Sequence, residues 1–156
     1  MLFRSLFDTF EGMTPPKDVD RTVDHTLAQT HLDRDVDKTG EVWAVAGLDD
    51  VRHNMRSTGY PQDHVRYVKG PVETTIPSHS PVSPIALLRL DTDWYESTKH
   101  ELTHLFPLLA EGGILIIDDY GHWEGARKAV DEYFAASGRP FYLHRVDYTG
   151  RLLVKQ

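Results

Sequence analysis

Two short apolar runs, each ended by acids, constrain this chain more than anything else in it. Pro84-Ile85-Ala86-Leu87-Leu88-Arg89-Leu90 leads into Asp91-Thr92-Asp93, and Gly113-Ile114-Leu115-Ile116-Ile117 leads into Asp118-Asp119. Runs of that length, stopped by charge, read as buried strands of a parallel sheet. The segment between them has a helical pattern, so the unit is strand, helix, strand. Parallel strands place both acidic clusters at the carboxyl edge, where open α/β sheets bind ligands. Neighbouring strands lie about 4.8 Å apart. Carboxylates at their tips can therefore share one divalent ion, with oxygen ligands at about 2.0–2.6 Å. The competing reading is a solvated acidic edge whose aspartates only cap helices.

The rest of the chain fits the same alternation. Leu2 to Phe7 reads as a first strand ending at Asp8, and Thr14-Pro15-Pro16 cannot continue it. Lys17 to Gly40 is polar and long for a structureless connection, so it is expected to be a functional or mobile loop. A helix starts at Asp49-Asp50 and stops at Gly59-Tyr60-Pro61; Val65 to Val68 reads as a strand, and Ser78 to Pro84 as a loop. Leu102, Leu105, Phe106 and Leu109 form an i, i+3, i+4, i+7 stripe, with Gly112-Gly113 expected to end that helix. Ala126, Ala129, Val130, Tyr133 and Phe134 give a second stripe, closed by Gly138-Arg139-Pro140. Phe141 to Val146 and Leu152 to Lys155 read as an antiparallel hairpin turning through Asp147-Tyr148-Thr149-Gly150. Strands alternating with helices predict a single α/β domain with a mostly parallel sheet and an antiparallel C-terminal hairpin.

Composition excludes several functions. The 156 residues carry 24 acids against 17 bases, a net charge of −7, which argues against a nucleic-acid surface. The chain has no cysteine, so thiolate metal sites, disulfides and cysteine nucleophiles are ruled out. No apolar run approaches the roughly 18 residues of a membrane span. The first residues lack a signal peptide's apolar length, so a cytoplasmic location is the default expectation.

Several segments together resemble the TylF/MycF family of class I S-adenosylmethionine-dependent O-methyltransferases, the macrocin-type sugar methyltransferases. They are Phe7-Asp8-Thr9-Phe10-Glu11-Gly12-Met13, Val68-Lys69-Gly70, the run from Leu88 through Asp91-Thr92-Asp93-Trp94-Tyr95-Glu96-Ser97-Thr98, and Gly112 through Asp118-Asp119-Tyr120-Gly121. The stretch from Ala126 to Asp131 also fits. The resemblance implies a Rossmann-like methyltransferase sheet. It also implies magnesium ligation by Asp91, Asp118 and Asp119, with Asp91 taking the proton from a sugar hydroxyl. Asp93 is implied to stand behind the metal ligands or to face the substrate, and Asp8, Thr9 and Phe10 to lie against the ribose and adenine of S-adenosylmethionine. Tyr95 and His122 are further substrate-side candidates; Tyr95 either stacks on a ring or simply packs. The implied acceptor is a sugar or glycoside, with no nucleic-acid or membrane partner.

The family pattern opens with a strand, a glycine-bearing loop and a helix, and nothing like them precedes Asp8. The chain therefore reads as the C-terminal part of such a fold, lacking the central strand between Leu2–Phe7 and Ile85–Leu90. An incomplete subunit that only binds, or pairs with another copy through exposed strand edges, is the alternative to an active enzyme. A haloacid-dehalogenase-type phosphatase also uses an acid pair after a strand. That chemistry needs a lysine between its acidic motifs, and Lys99 lies too near, on a helix.

Overall fold

A computed structural model describes residues 3–80, 84–138 and 140–156. Leu2 of the expected first strand, residues 81–83 of the expected loop and Arg139 lie outside that set. Strands β1 (Arg4–Asp8) and β2 (Val65–Lys69) pair in parallel, from Arg4 opposite Val65 to Asp8 opposite Lys69. A second sheet has the order β3 (Ile85–Leu90), β4 (Leu109–Ile117), β6 (Arg151–Val154), β5 (His144–Arg145). β3 and β4 run parallel with Leu90 opposite Ile117, while β6 is antiparallel to both of its neighbours. The predicted parallel pair with an antiparallel end is therefore present. β1 and β3 are edge strands of two separate sheets.

Helices α4 (Tyr95–Leu105) and α5 (Glu124–Ala136) pack against each other. Their apolar stripes meet the inner face of the larger sheet: Leu102, Leu105, Phe106, Val130 and Phe134 close over Leu88, Leu90, Leu115, Ile117 and Leu153. Each of these side chains contributes roughly 1.5–3 kcal/mol when taken fully out of water. A smaller core of Ala28, Leu32, Trp94, Trp123 and Ala126 lies beside it, with Trp43 packed against it.

Three expectations need correction. The leucine stripe does not stay helical to Gly112-Gly113. α4 ends at Leu105, Phe106–Leu108 form a single 3-10 turn, and Leu109 already belongs to β4. Pro107 supplies no amide donor and disfavours helical backbone at Phe106. Leu109 is buried as a strand residue opposite Ile85 instead. Gly112, at φ +76°, kinks β4, and its N–H donates to the Lys155 carbonyl at 2.8 Å. The Lys17–Gly40 stretch is not structureless. It contains α1 (Ala28–Arg34), two isolated bridges, Arg21 with Leu27 and Thr22 with Trp123, and a buried anchor at Asp20. The first strand of the C-terminal hairpin is only two residues long. Two further helices are α2 (Leu48–Ser57), which buries no residue, and the short α3 (Val72–Thr75).

Candidate functional site

The tips of β3 and β4 are tied together: the Asp118 N–H donates to the Leu90 carbonyl at 3.0 Å. Just beyond, carboxylate oxygens of Asp91, Asp93 and Asp119 all lie within 4.8 Å of one another. Two of these come from the loop after β3 and one from the loop after β4, so the juxtaposition follows from parallel pairing in register. Asp118, the fourth acid, is turned toward Arg89. The guanidinium sits 3.1 Å from Asp118 and 2.7 Å from Asp91. The geometry thus gathers Asp91, Asp93 and Asp119 as the tight set, with Asp118 beside Asp91 and Arg89 paired to both.

Asp93 owes its place to an unusual backbone. Its φ is +65°, a left-handed conformation that aspartate tolerates better than most residues. This turns its carboxylate to accept from the Trp123 indole N–H at 3.0 Å. Trp123, buried in the small core, is a member of the site that sequence reading missed.

Crowding so much negative charge in a partly buried place shifts the acids upward. Burial is the largest cause for each. Asp91 is pushed up to about 7, with Asp118 beside it adding to the rise and Arg89 opposing it. Asp93 rises to about 6 despite bonds from Asp119 and Trp123 that favour its charged form. Asp119 rises to about 9, with Asp93, Asp91 and Asp118 all contributing repulsion. A hard divalent ion relieves this repulsion, and three carboxylates with oxygens this close fit one.

The other expected residues are placed as follows. Oδ1 of Asp8, at the tip of β1, accepts the Phe10 N–H at 2.6 Å, shaping a turn in which Phe10 has φ +55° and is buried. Thr9 closes that turn through its hydroxyl to the Gly12 carbonyl at 2.6 Å. Asp8 thus ends the strand of the two-stranded sheet, and Thr9 and Phe10 lie in the turn just beyond it. The Tyr95 hydroxyl points to the α4–α5 surface, donating to Glu132 and accepting from Lys99, each at 2.7 Å. Lys99 is engaged there rather than among the acids. His122 lies against Trp123, with ring centroids 4.8 Å apart, and its Nδ1 is 3.3 Å from the Tyr148 hydroxyl. Burial and nearby His31 hold His122 below its ordinary pKa. Trp94 packs in the small core and donates its indole N–H to the Thr14 carbonyl at 2.8 Å.

Asp20 was also missed. It is 1% exposed and lies at the joint between the two helices that follow the acidic loops. Its carboxylate accepts the N–H of Tyr95, the first residue of α4, at 2.8 Å, and that of Lys17 at 2.7 Å. The side chain of Trp94, the residue before α4, offers no cap, so Asp20 caps the helix from across the fold. From this anchor the strap of residues 17–27 runs over α5: the Glu124 N–H donates to the Arg21 carbonyl at 2.7 Å.

Comparison with known proteins gives this geometry a family. Over 143 residues the chain is 35% identical to 8-demethyl-8-(2,3-dimethoxy-alpha-L-rhamnosyl)-tetracenomycin-C 4'-O-methyltransferase of Streptomyces olivaceus, covering 92% of this chain and 51% of that protein. It is 32% identical to mycinamicin III 3''-O-methyltransferase of Micromonospora griseorubida, covering 92% of this chain and 53% of that one. The solved structure of the O-methyltransferase NovP superposes with a TM-score of 0.77 at 30% identity, over 98% of this chain and 60% of NovP. The chain thus spans about half the length of the two curated relatives. Residues 3–155 match the macrocin-O-methyltransferase (TylF) family, and this chain belongs to it.

Proposed function

We propose that this chain provides the acidic edge of an O-methyltransferase that moves a methyl group from S-adenosylmethionine to a sugar hydroxyl of a glycoside or macrolide-type natural product, with Mg²⁺ at the cluster. The observation that carries this reading is the convergence of Asp91, Asp93 and Asp119 at two adjacent strand tips, in a chain matched to the family from residue 3 to 155. The relatives' names give the acceptor class: one acts on a rhamnosyl tetracenomycin, another on mycinamicin III.

Asp91, Asp93 and Asp119 would hold the cation, with Asp118 kept close by Arg89. When bound, Mg²⁺ supplies Lewis acidity that makes a sugar hydroxyl easier to deprotonate. Asp91, an acid of the cluster beside the place where the hydroxyl would be held, is the residue proposed to accept its proton. S-adenosylmethionine would supply the methyl group, its sulfonium–carbon bond giving way to the new sugar oxygen–methyl bond, and Asp91 would take the hydroxyl proton. The chain's larger contribution is to hold acceptor and methyl donor in line, a positioning effect that can supply several kcal/mol, about 7–11 at its limit. Asp8, an acid at a strand tip, suits the ribose hydroxyls, with Thr9 and Phe10 toward the adenine. His122 and Tyr148 line the rim beside Trp123 and suit contact with the sugar.

The test is transfer of isotopically labelled methyl from S-adenosylmethionine to a panel of rhamnosyl and macrolide glycosides, with Mg²⁺ and with chelator. Chelator-sensitive labelling that Asp91→Asn abolishes is expected. Labelling indifferent to both would overturn the proposal.

A further inference from the structure

Thr92 separates Asp91 from Asp93, and it is gripped from α4 at both ends. Its hydroxyl donates to Glu101 Oε2 at 2.9 Å. Its carbonyl accepts the Trp94 N–H at 2.7 Å and shares the Ser97 hydroxyl, at 3.2 Å, with the Trp94 carbonyl at 3.1 Å. Ser97 and Glu101 are four residues apart, so they lie one above the other on a single face of the helix. Both are buried, at 3% and 5% exposure.

A carboxyl is a costly choice for that position. Leu102 and Leu105 of the same helix are buried in an apolar core, and the Glu101 carboxyl must leave water to sit near them. Burial, with Glu73 and Asp91 as further repelling charges, lifts it to about 8. Its described partner is the Thr92 hydroxyl. Meanwhile the residue after Thr92, Asp93, holds a left-handed backbone that persists only where its surroundings fix it. The clamp on Thr92 fixes it from the backbone side, and the Trp123 indole N–H holds its carboxylate from the other.

We propose that Ser97 and Glu101 are positioning residues: by gripping Thr92 they set the spacing and aim of the Asp91 and Asp93 carboxylates. This rests on reading Asp91, Asp93 and Asp119 as the cation site. Neither Ser97 nor Glu101 is asked to touch the cation or the sugar. Their action runs through the loop between the two acids, as outer partners of a metal site hold its ligands in place.

The experiment is a calorimetric Mg²⁺ titration of the wild-type chain, Thr92→Val, Glu101→Leu and Glu101→Gln, each with a thermal unfolding curve. Thr92→Val removes the hydroxyl at nearly constant shape. It is expected to weaken Mg²⁺ binding by about 10-fold or more while unfolding stays cooperative. Glu101→Leu should do the same, and Glu101→Gln, whose amide oxygen still accepts from Thr92, should recover most of the affinity. If Glu101→Leu fails to fold, Thr92→Val and Glu101→Gln still decide the matter. Thr92→Val binding Mg²⁺ as the wild type does would overturn the clamp and leave the cation site standing. A wild-type chain that binds no Mg²⁺ would overturn both.

Discussion

Gly125, in the first turn of α5, lies against Oδ1 of Asp20 so closely that a Cβ there would collide with the carboxylate, and would also stand 3.1 Å from the Tyr95 nitrogen. The strap, α4 and α5 therefore meet at one point, directly behind both acid-bearing loops. Gly125→Ala must displace Asp20 or the start of α5, and a loss of about 1–3 kcal/mol is expected from such overpacking. Urea unfolding would measure it. Asp20→Ala removes the acceptor instead, leaving the N–H groups of Tyr95 and Lys17 without their partner, at a cost of about 1–3 kcal/mol.

Asp118 and Asp119 are adjacent in sequence but differ in company. Asp119 has an oxygen within 4.8 Å of those of both Asp91 and Asp93, whereas Asp118 stands outside that set, beside Asp91 and paired with Arg89 at 3.1 Å. Asp119→Asn should weaken Mg²⁺ binding by at least about 10-fold more than Asp118→Asn. Calorimetry on the two variants compares them directly; equal losses would contradict the assignment of Asp119 to the inner set.

The raised acids predict how stability changes with pH. Carboxyls at about 6, 7 and 9 in the folded chain keep protons that the unfolded chain, with values near 4, has already released. Their contribution is present in full below about pH 4 and is lost as pH rises through those folded-state values. Without added cation, the unfolding temperature should therefore fall between pH 5 and pH 9, other groups being equal. Mg²⁺ should reverse the trend, because it replaces those protons, and its binding should release them. Titrations in buffers of different ionisation enthalpy count the protons released; no release would contradict the prediction.

Trp123→Phe keeps an aromatic ring in the small core but removes the N–H that Asp93 accepts at 3.0 Å. A loss of about 0.5–1.5 kcal/mol is expected from that hydrogen bond. Because the lost bond favours the charged carboxylate, the pKa of Asp93 should rise further. A higher midpoint pH for its carboxyl resonance in a carbon-detected titration is the measurement.

The acids were legible in the sequence because both strands are written as apolar runs, so Leu90 and Ile117 announce where the strands stop; the expectation that both are buried fails for β3, an edge strand that leaves Ala86, Leu87 and Arg89 exposed. The break after α4 was not legible in the same way. Leu109 fits a helical stripe and a strand equally well, and only Pro107 hints that the helix cannot reach it. α1 escaped because it buries just Ala28 and Leu32 in an otherwise polar stretch. Asp20 reads as one acid among many in a polar segment. Its meaning lies in Tyr95 and Gly125, distant in sequence, and nothing local announces such a contact. Trp123 was passed over for the same reason: its partner is set by the left-handed turn at Asp93, which sequence periodicity does not encode.

The chain has three tryptophans, Trp43, Trp94 and Trp123, and all of them belong to the smaller core. Its ultraviolet emission consequently arises from one patch of the molecule, with Trp123 bonded directly to an acid of the cluster. Any quenching or spectral displacement on adding a metal salt or a glycoside thus reports on that patch, and the intact protein serves as its own label-free optical probe.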